Sequence, residues 1–208
     1  MPATLYNGPT SPFGRTARVV SLELGIAVDE RVINVYTAEF LDALNPLRQI
    51  PTLVTEAGAP IYDSRVICMY FDAMSGKPSL IPPERSWEIE TRWALALGVM
   101  EAGLQRRMEV ILPEGEKNSA KISKLETRIS RALLQLDRES EAFRDAGVRM
   151  DAIAIAVALE YIDLRYTTEW RQRCAGLTAW LESFSRRHSM IQTRPNDSMI
   201  RTLPNDAK

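Results

Sequence analysis

Along the early part of the chain the apolar positions change period repeatedly, and after it they keep one. Thr4-Leu5-Tyr6 reads as a strand, broken by Asn7-Gly8-Pro9. From Phe13 onward Ala17, Val20 and Leu24, with Val19 and Leu22 on a neighbouring stripe, recur at helical spacing. Gly25 falls just past the end of that helix, and Pro12 at its first position, where a missing N–H costs nothing. Val28 to Val35 predicts a second strand, and the helix between the two implies a parallel crossover. Tyr36 to Leu44 predicts a short irregular helix stopped by Asn45-Pro46. Thr52 to Thr55 reads as a strand entered through Pro51, which fits the rule that proline enters sheets at edges or starts. A turn centred on Gly58 leads to a short hairpin strand, Ile61-Tyr62. Asp63 or Ser64 then caps a helix whose inner face is Val66, Ile67, Tyr70 and Phe71.

Ser75-Gly76-Lys77-Pro78 and Ile81-Pro82-Pro83 form the clearest break in the chain. Beyond it every pattern is helical. Glu84 to Leu112 places Ile89, Trp93, Ala96, Met100, Leu104, Met108 and Leu112 on one recurring stripe. Asn118 to Arg144 turns Ile122, Leu125, Ile129, Leu133, Leu136 and Phe143 inward, and Asp145-Ala146-Gly147 turns the chain. Asp151 to Tyr166 has no polar face for two turns, which marks a core helix. A last helix, Ala175 to Arg187, turns Leu177, Trp180, Leu181 and Phe184 inward, and a polar tail follows from Thr193. The expected organisation is an α/β domain over residues 1–76, a linker over 77–88 and an all-helical domain over 89–208.

Composition narrows the function. The chain has 208 residues, 45% of them hydrophobic, and a formal net charge of -1. That balance argues against a nucleic-acid surface, and no apolar run reaches the length of a membrane span. The start, Met1-Pro2-Ala3-Thr4, lacks the basic and apolar regions of a secretory signal, so a cytoplasmic protein is expected. Cys68 and Cys174 read as buried free thiols rather than a disulfide. One histidine, His188, and two cysteines make a poor zinc site, so no metal is expected. There is no Gly-x-Ser-x-Gly elbow and no phosphate-loop or dinucleotide glycine pattern.

Three places carry candidate chemistry. Ser11 lies in a strand-to-helix turn, where unpaired N–H groups and the helix dipole favour an anion: phosphate, carboxylate or thiolate. The plainer reading is a helix cap. At Ile50-Pro51 a cis bond would turn the Ile50 backbone outward, free to pair with a ligand's amide as a strand would, while the plainer reading is an edge-strand proline. Asp63-Ser64 begins a second helix, suited to a carboxylate if it does more than cap.

In this order, these pieces resemble the cytosolic glutathione transferase superfamily, in its bacterial serine-type form. Ser11-Pro12-Phe13-Gly14-Arg15 with Arg18 is similar to the serine-type active-site turn. Asn45-Pro46 followed by Gln49-Ile50-Pro51 resembles the N-P-x-x-x-[VI]-P segment, and Asp63-Ser64 the Glu/Gln-Ser pair, followed by Ile67 and Tyr70. Ile153-Ala154 with Tyr161-Ile162-Asp163-Leu164-Arg165 resembles the core helix of bacterial members, and Trp180 with Arg187-His188-Ser189 the closing W…R-P-S signature.

The resemblance implies a thioredoxin-like first domain (βαβ-ββα), an all-helical second domain, and glutathione as a substrate. Ser11 would donate to the thiolate, the Ile50 backbone before a cis-Pro51 would pair with the cysteinyl amide, and Ser64 with Asp63 would hold the γ-glutamyl end. Phe13 and Gln49 complete the expected glutathione site. Met100, Leu104, Gln105 and Met108 are candidate walls for a small apolar electrophile, and a homodimer is the family expectation.

Several positions depart from the pattern. Asp63 stands for Glu or Gln, Gln49 for a common Lys (with Arg48 as a possible substitute), and His188 for Pro. Arg149 and Ala152 stand where the family has its S/T-x-x-D capping box, so Asp151 would have to cap that helix differently. Tyr6 lies too early on its strand to replace Ser11 and is given a packing role, and a serine at position 11 disfavours mixed-disulfide chemistry. Two functions follow: a glutathione transferase of broad specificity, with peroxidase or dehalogenase chemistry using the same thiolate, or a non-catalytic binding protein that regulates a partner through the same fold.

Overall fold

The computed structural model describes residues 2–144 and 147–195, which form two compact units. The expected turn at Asp145-Ala146 and most of the tail lie outside the described residues.

The first unit spans residues 1–79 together with 188–208. Strand β1 (Ala3–Asn7) leads to helix α1 (Pro12–Leu24) and strand β2 (Val28–Val32), which pairs parallel with β1. β2 ends three residues short of the predicted Val35, and Glu39–Ala43 forms the short irregular helix as a 3₁₀ turn. β3 (Thr52–Val54) runs antiparallel to β1, and β4 (Pro60–Ile61) antiparallel to β3, giving the order β2-β1-β3-β4. This mixed sheet, with α1 and α2 (Ser64–Met74) packed against each other, is the expected thioredoxin-like arrangement. Its core gathers Leu5, Ala17, Val20, Leu24, Leu53, Ile67, Cys68 and Phe71. The buried face of α2 is therefore rotated from the one predicted: Cys68 is inside, while Val66 and Met69 are exposed.

The described end of the chain, from His188, clusters with this unit, and the helical unit ends at Arg187. α9 (His188–Gln192) lies against α1, and polar groups hold it there. Arg15 donates from Nη2 to the Met190 carbonyl (3.1 Å) and from Nε to Thr193 Oγ1 (3.2 Å), and Ser189 Oγ donates to the Glu23 carboxylate.

The second unit, residues 80–187, is helical. It comprises α3 (Ser86–Val110), α4 (Ser119–Arg138), α5 (Ser140–Arg144), α6 (Met150–Arg165), α7 (Trp170–Arg173) and α8 (Ala175–Phe184). α6 is the core helix that its sequence implies: Met150 through Leu159 are all buried. The predicted helix 118–144 is interrupted at Glu139, and α7 carries no periodic signal in four residues. On α3 the predicted stripe holds from Ile89 to Met100, then turns outward, leaving Leu104, Met108 and Leu112 exposed.

The missing capping box is replaced by a charge cluster. Arg149 occupies the N-cap of α6 without a side-chain cap bond. Asp151, with no exposed surface, instead accepts from Ala152 N (3.0 Å), from Arg149 Nε (3.3 Å) and from Arg92 Nε of α3 (2.7 Å).

Candidate active site

The sheet pairing brings the sequence-predicted polar residues of the first unit to one end. β1 runs into the Ser11 turn. β3 is antiparallel to it, so the segment entering β3, Ile50-Pro51, lies beside the end of β1. β4 is antiparallel in turn, so Asp63-Ser64, which follows β4, lies beside the start of β3. Adjacent strands are about 4.8 Å apart, which puts the two helix starts roughly 10 Å from each other across the sheet. Direct packing joins the first two places: a Cβ built on Gly8 would lie 2.5 Å from Ile50 Cδ1.

Ser11 is the N-cap of α1 in extended backbone geometry, and Gly25 closes the helix with φ 72°. Ser11 Oγ accepts from Gly14 N at 3.2 Å. That bond uses the oxygen as an acceptor and leaves the hydroxyl proton for an acceptor beyond the helix. Phe13 and Ser11 are partly exposed, whereas Pro12, Gly14 and Arg15 are buried. Arg18 pairs with Glu30 of β2, and burial draws its guanidinium below the ordinary arginine pKa. Glu30 Oε1 also accepts from Asn7 Nδ2 at 3.0 Å. Tyr6 packs its ring on Phe40 at 5.1 Å, in keeping with a packing role.

The peptide bond Ile50–Pro51 is cis. Asn45, buried, organises the loop before it: Nδ2 donates to the Gln49 carbonyl (3.1 Å) and to Thr52 Oγ1 (3.0 Å), and Oδ1 accepts from Leu47 N (3.0 Å). Gln49 is exposed. Arg48 is engaged in the loop itself, forking onto Asp42, whose carboxyl it holds below the usual range.

Asp63, joined to Tyr62 by a second cis bond, is the N-cap of α2, its Oδ1 accepting from Arg65 N at 3.0 Å. Ser64 is the first helical residue and is buried, so the cap falls on Asp63.

The remaining candidates belong to the helical unit. Met100 has no exposed surface and packs in its core. Leu104 and Met108 are 36% and 44% exposed, and Gln105, partly exposed, bonds Glu101 at 2.7 Å. Among the described residues no group of His, Cys, Asp and Glu side chains could hold a metal ion, and no helix is long and apolar enough to cross a membrane.

Sequence reasoning missed Asn7 and Glu30 as parts of the site. Asn45 is visible in the sequence as a helix stop and as the first residue of the resembled Asn-Pro segment, and Asn7 only as a strand breaker.

A mixed four-stranded sheet with a capped serine turn, a cis-proline loop and a second capped helix at one end, followed by a helical unit, defines a glutathione transferase fold. Residues 5–79 match the family described as glutathione S-transferase, N-terminal domain. The GST-like protein YibF of Escherichia coli, itself uncharacterized, is 30% identical over 92% of this chain and 98% of its own length. A Methylobacillus flagellatus glutathione S-transferase, crystallised with glutathione bound, superimposes with a TM-score of 0.88 at 32% identity, covering 93% of this chain and all of that one. A Pseudomonas fluorescens glutathione transferase family member with bound glutathione gives 0.87 at 34% identity, over 93% and 99% of the two chains. The chain belongs to the cytosolic glutathione S-transferase superfamily.

Proposed function

We propose that this protein is a glutathione transferase that binds glutathione along the first unit and activates its thiol for attack on small apolar electrophiles. The observation that carries the reading is the Ser11 hydroxyl. Its oxygen caps α1 through Gly14 N, and its proton remains available at a helix N-terminus. A sulfur placed there accepts that proton and sits in the positive end of the dipole, both of which favour thiolate over thiol. The Ile50 backbone pairs with the cysteinyl amide, Ser64 with the α2 N-terminus takes the γ-glutamyl carboxylate, and Asp63 takes the neighbouring amino group. Phe13 and Gln49 border the same tripeptide. Glutathione is a substrate in this scheme, and the thiolate either displaces a leaving group, which departs as an anion, or adds to an activated double bond whose other carbon takes up a proton, in each case leaving a thioether. The P. fluorescens family member has also been crystallised with S-(propanoic acid)-glutathione, a thioether of this kind. Leu104, Gln105 and Met108 are the exposed candidates for the electrophile's contacts. A cytoplasmic homodimer fits the reading.

Calorimetric titration with glutathione tests it, run on the wild type, Ser64→Ala and Ser11→Ala, beside conjugation rates for a panel of electrophiles. Binding should be lost with Ser64→Ala and largely kept with Ser11→Ala, while Ser11→Ala should slow conjugation by about tenfold or more. Unchanged rates in Ser11→Ala would sink the assignment of the hydroxyl.

One observation favours a second reading, a non-catalytic binding protein. With Arg48 spent on Asp42 and glutamine at position 49, this loop offers no uncommitted cation to the glycyl carboxylate. No glutathione binding at millimolar concentration, together with a stable protein partner, would decide for it.

A further inference from the structure

We infer that Asn7 is the positioning residue of the Ser11 turn, a role resting on the reading of Ser11 as the thiol-activating hydroxyl. Asn7 is the last residue of β1 and is 4% exposed. Both ends of its side-chain amide are used. Oδ1 accepts from Gly8 N at 2.8 Å, and Nδ2 donates to Glu30 Oε1 at 3.0 Å. From there the contacts close into a circuit around the candidate site. The Gly8 carbonyl accepts from Ser11 N (3.3 Å), Ser11 Oγ accepts from Gly14 N (3.2 Å), and Arg18, further along α1, pairs with the same Glu30 that holds Asn7.

Space reinforces the bonding. A Cβ built on Gly14 would fall 1.5 Å from Asn7 Oδ1, so the amide fills the gap between the strand end and the first turn of α1. The residue type is specified by this place. An amide accepts from a backbone N–H with one atom and donates to a carboxylate with the other. Aspartate would set a second carboxylate against Glu30, and leucine would satisfy neither partner.

The Asn7 amide bonds Gly8 and Glu30 rather than Ser11. It fixes Gly8 on one side of the serine and, through Glu30 and Arg18, the helix on the other. The direction in which the hydroxyl proton points therefore depends on Asn7, and that direction sets how well the proton meets a sulfur. A residue needed only for folding would change the melting temperature. A positioning residue changes the acidity of the bound thiol.

The test measures thiolate absorbance of bound glutathione against pH for the wild type, Asn7→Ala, Glu30→Gln and Ser11→Ala, with glutathione affinity, kcat and melting temperature alongside. Asn7→Ala should raise the apparent thiol pKa by about one unit and lower kcat at neutral pH by up to roughly tenfold. Its glutathione affinity should stay within about twofold, since the residues expected to bind the γ-glutamyl and cysteinyl parts are elsewhere. Glu30→Gln keeps the acceptor for Asn7 but loses the charge for Arg18, so it should shift the pKa the same way by less. It also decides the matter if Asn7→Ala does not fold. A pKa raised by Ser11→Ala but left unmoved in the folded Asn7 and Glu30 variants would overturn this inference alone. A wild type that does not acidify the bound thiol would overturn it together with the reading of Ser11.

Discussion

Removing Asp151 should be among the most damaging single changes to the helical unit. Its carboxylate has no exposed surface, and the two arginines bonded to it, Arg92 and Arg149, have side chains only 7% and 6% exposed. Asp151→Ala leaves two buried cations with part of their compensation gone. Breaking a buried pair by deleting one partner costs about 3–5 kcal/mol. Two features place this site toward the lower end. Glu139 lies 3.5 Å from Arg92 and Glu88 3.8 Å, so Arg92 keeps some negative charge nearby. Arg92 Nη2 already lacks a hydrogen-bond acceptor, so the cluster is not fully satisfied to begin with. Against that, Ala152 N loses its acceptor at the start of α6, which adds about 1 kcal/mol. The sum is a loss of about 3–4 kcal/mol. With a urea slope of about 1–3 kcal/mol per molar, the unfolding midpoint should fall by roughly 1–4 M. The paired replacement Arg92→Met with Asp151→Leu removes one of the two stranded cations, leaving Arg149, and should recover part of the loss. A midpoint shift worth less than about 1 kcal/mol in Asp151→Ala, or a paired variant no better than the single one, would refute the reasoning.

Three further outcomes are expected. Cys68 and Cys174 are buried and burial pushes both thiols up, so a disulfide reagent should modify neither in the native protein and both after denaturation; prompt native labelling of either would contradict the packing described. The Glu109 carboxyl, held below its usual 4.5 by Lys121 and by Asn118 N, contributes stability that is present above that value and lost as pH falls through its lower folded value; the stability gap between wild type and Glu109→Gln should narrow below about pH 4.5, and a gap independent of pH would contradict this. Gly14→Ala must displace Asn7, whose amide is held at both ends, and should cost about 1–3 kcal/mol in chemical denaturation, where a neutral result would show that the strand end yields.

The order of elements was legible because strong punctuation separates them: Gly8-Pro9 after β1, Gly25 after α1, the Gly/Pro cluster before α3. The two caps of the candidate site, Ser11 and Asp63, were legible for the same local reason. What failed was rotation. On α3 the predicted stripe was extended by four-residue steps, each of which overshoots a full turn by about 40°. By Met108 the series has turned roughly 80° away from Met100 and faces outward, while Ala102, Gly103 and Glu109 continue the buried side. On α2 periodicity allowed two adjacent stripes, and only the packed structure chose the one holding Cys68. Asn7 and Glu30 were illegible as site-forming residues because their partnership runs across the sheet, from one strand to the next. The bonds from Arg15 to Met190 and Thr193 span most of the chain, and no local pattern announces them.

Those last bonds bear on how the protein is made. A ribosome delivers α1 with the Arg15 guanidinium early, but Met190 and Thr193 only after the helical unit has been made. The first unit thus waits for the whole helical unit to emerge before its own final hydrogen bonds can form. Released early, or expressed as an isolated 1–79 fragment, it would present Arg15 without the Met190 and Thr193 acceptors. The helical unit, by contrast, is encoded without interruption and can finish folding as its last helix appears.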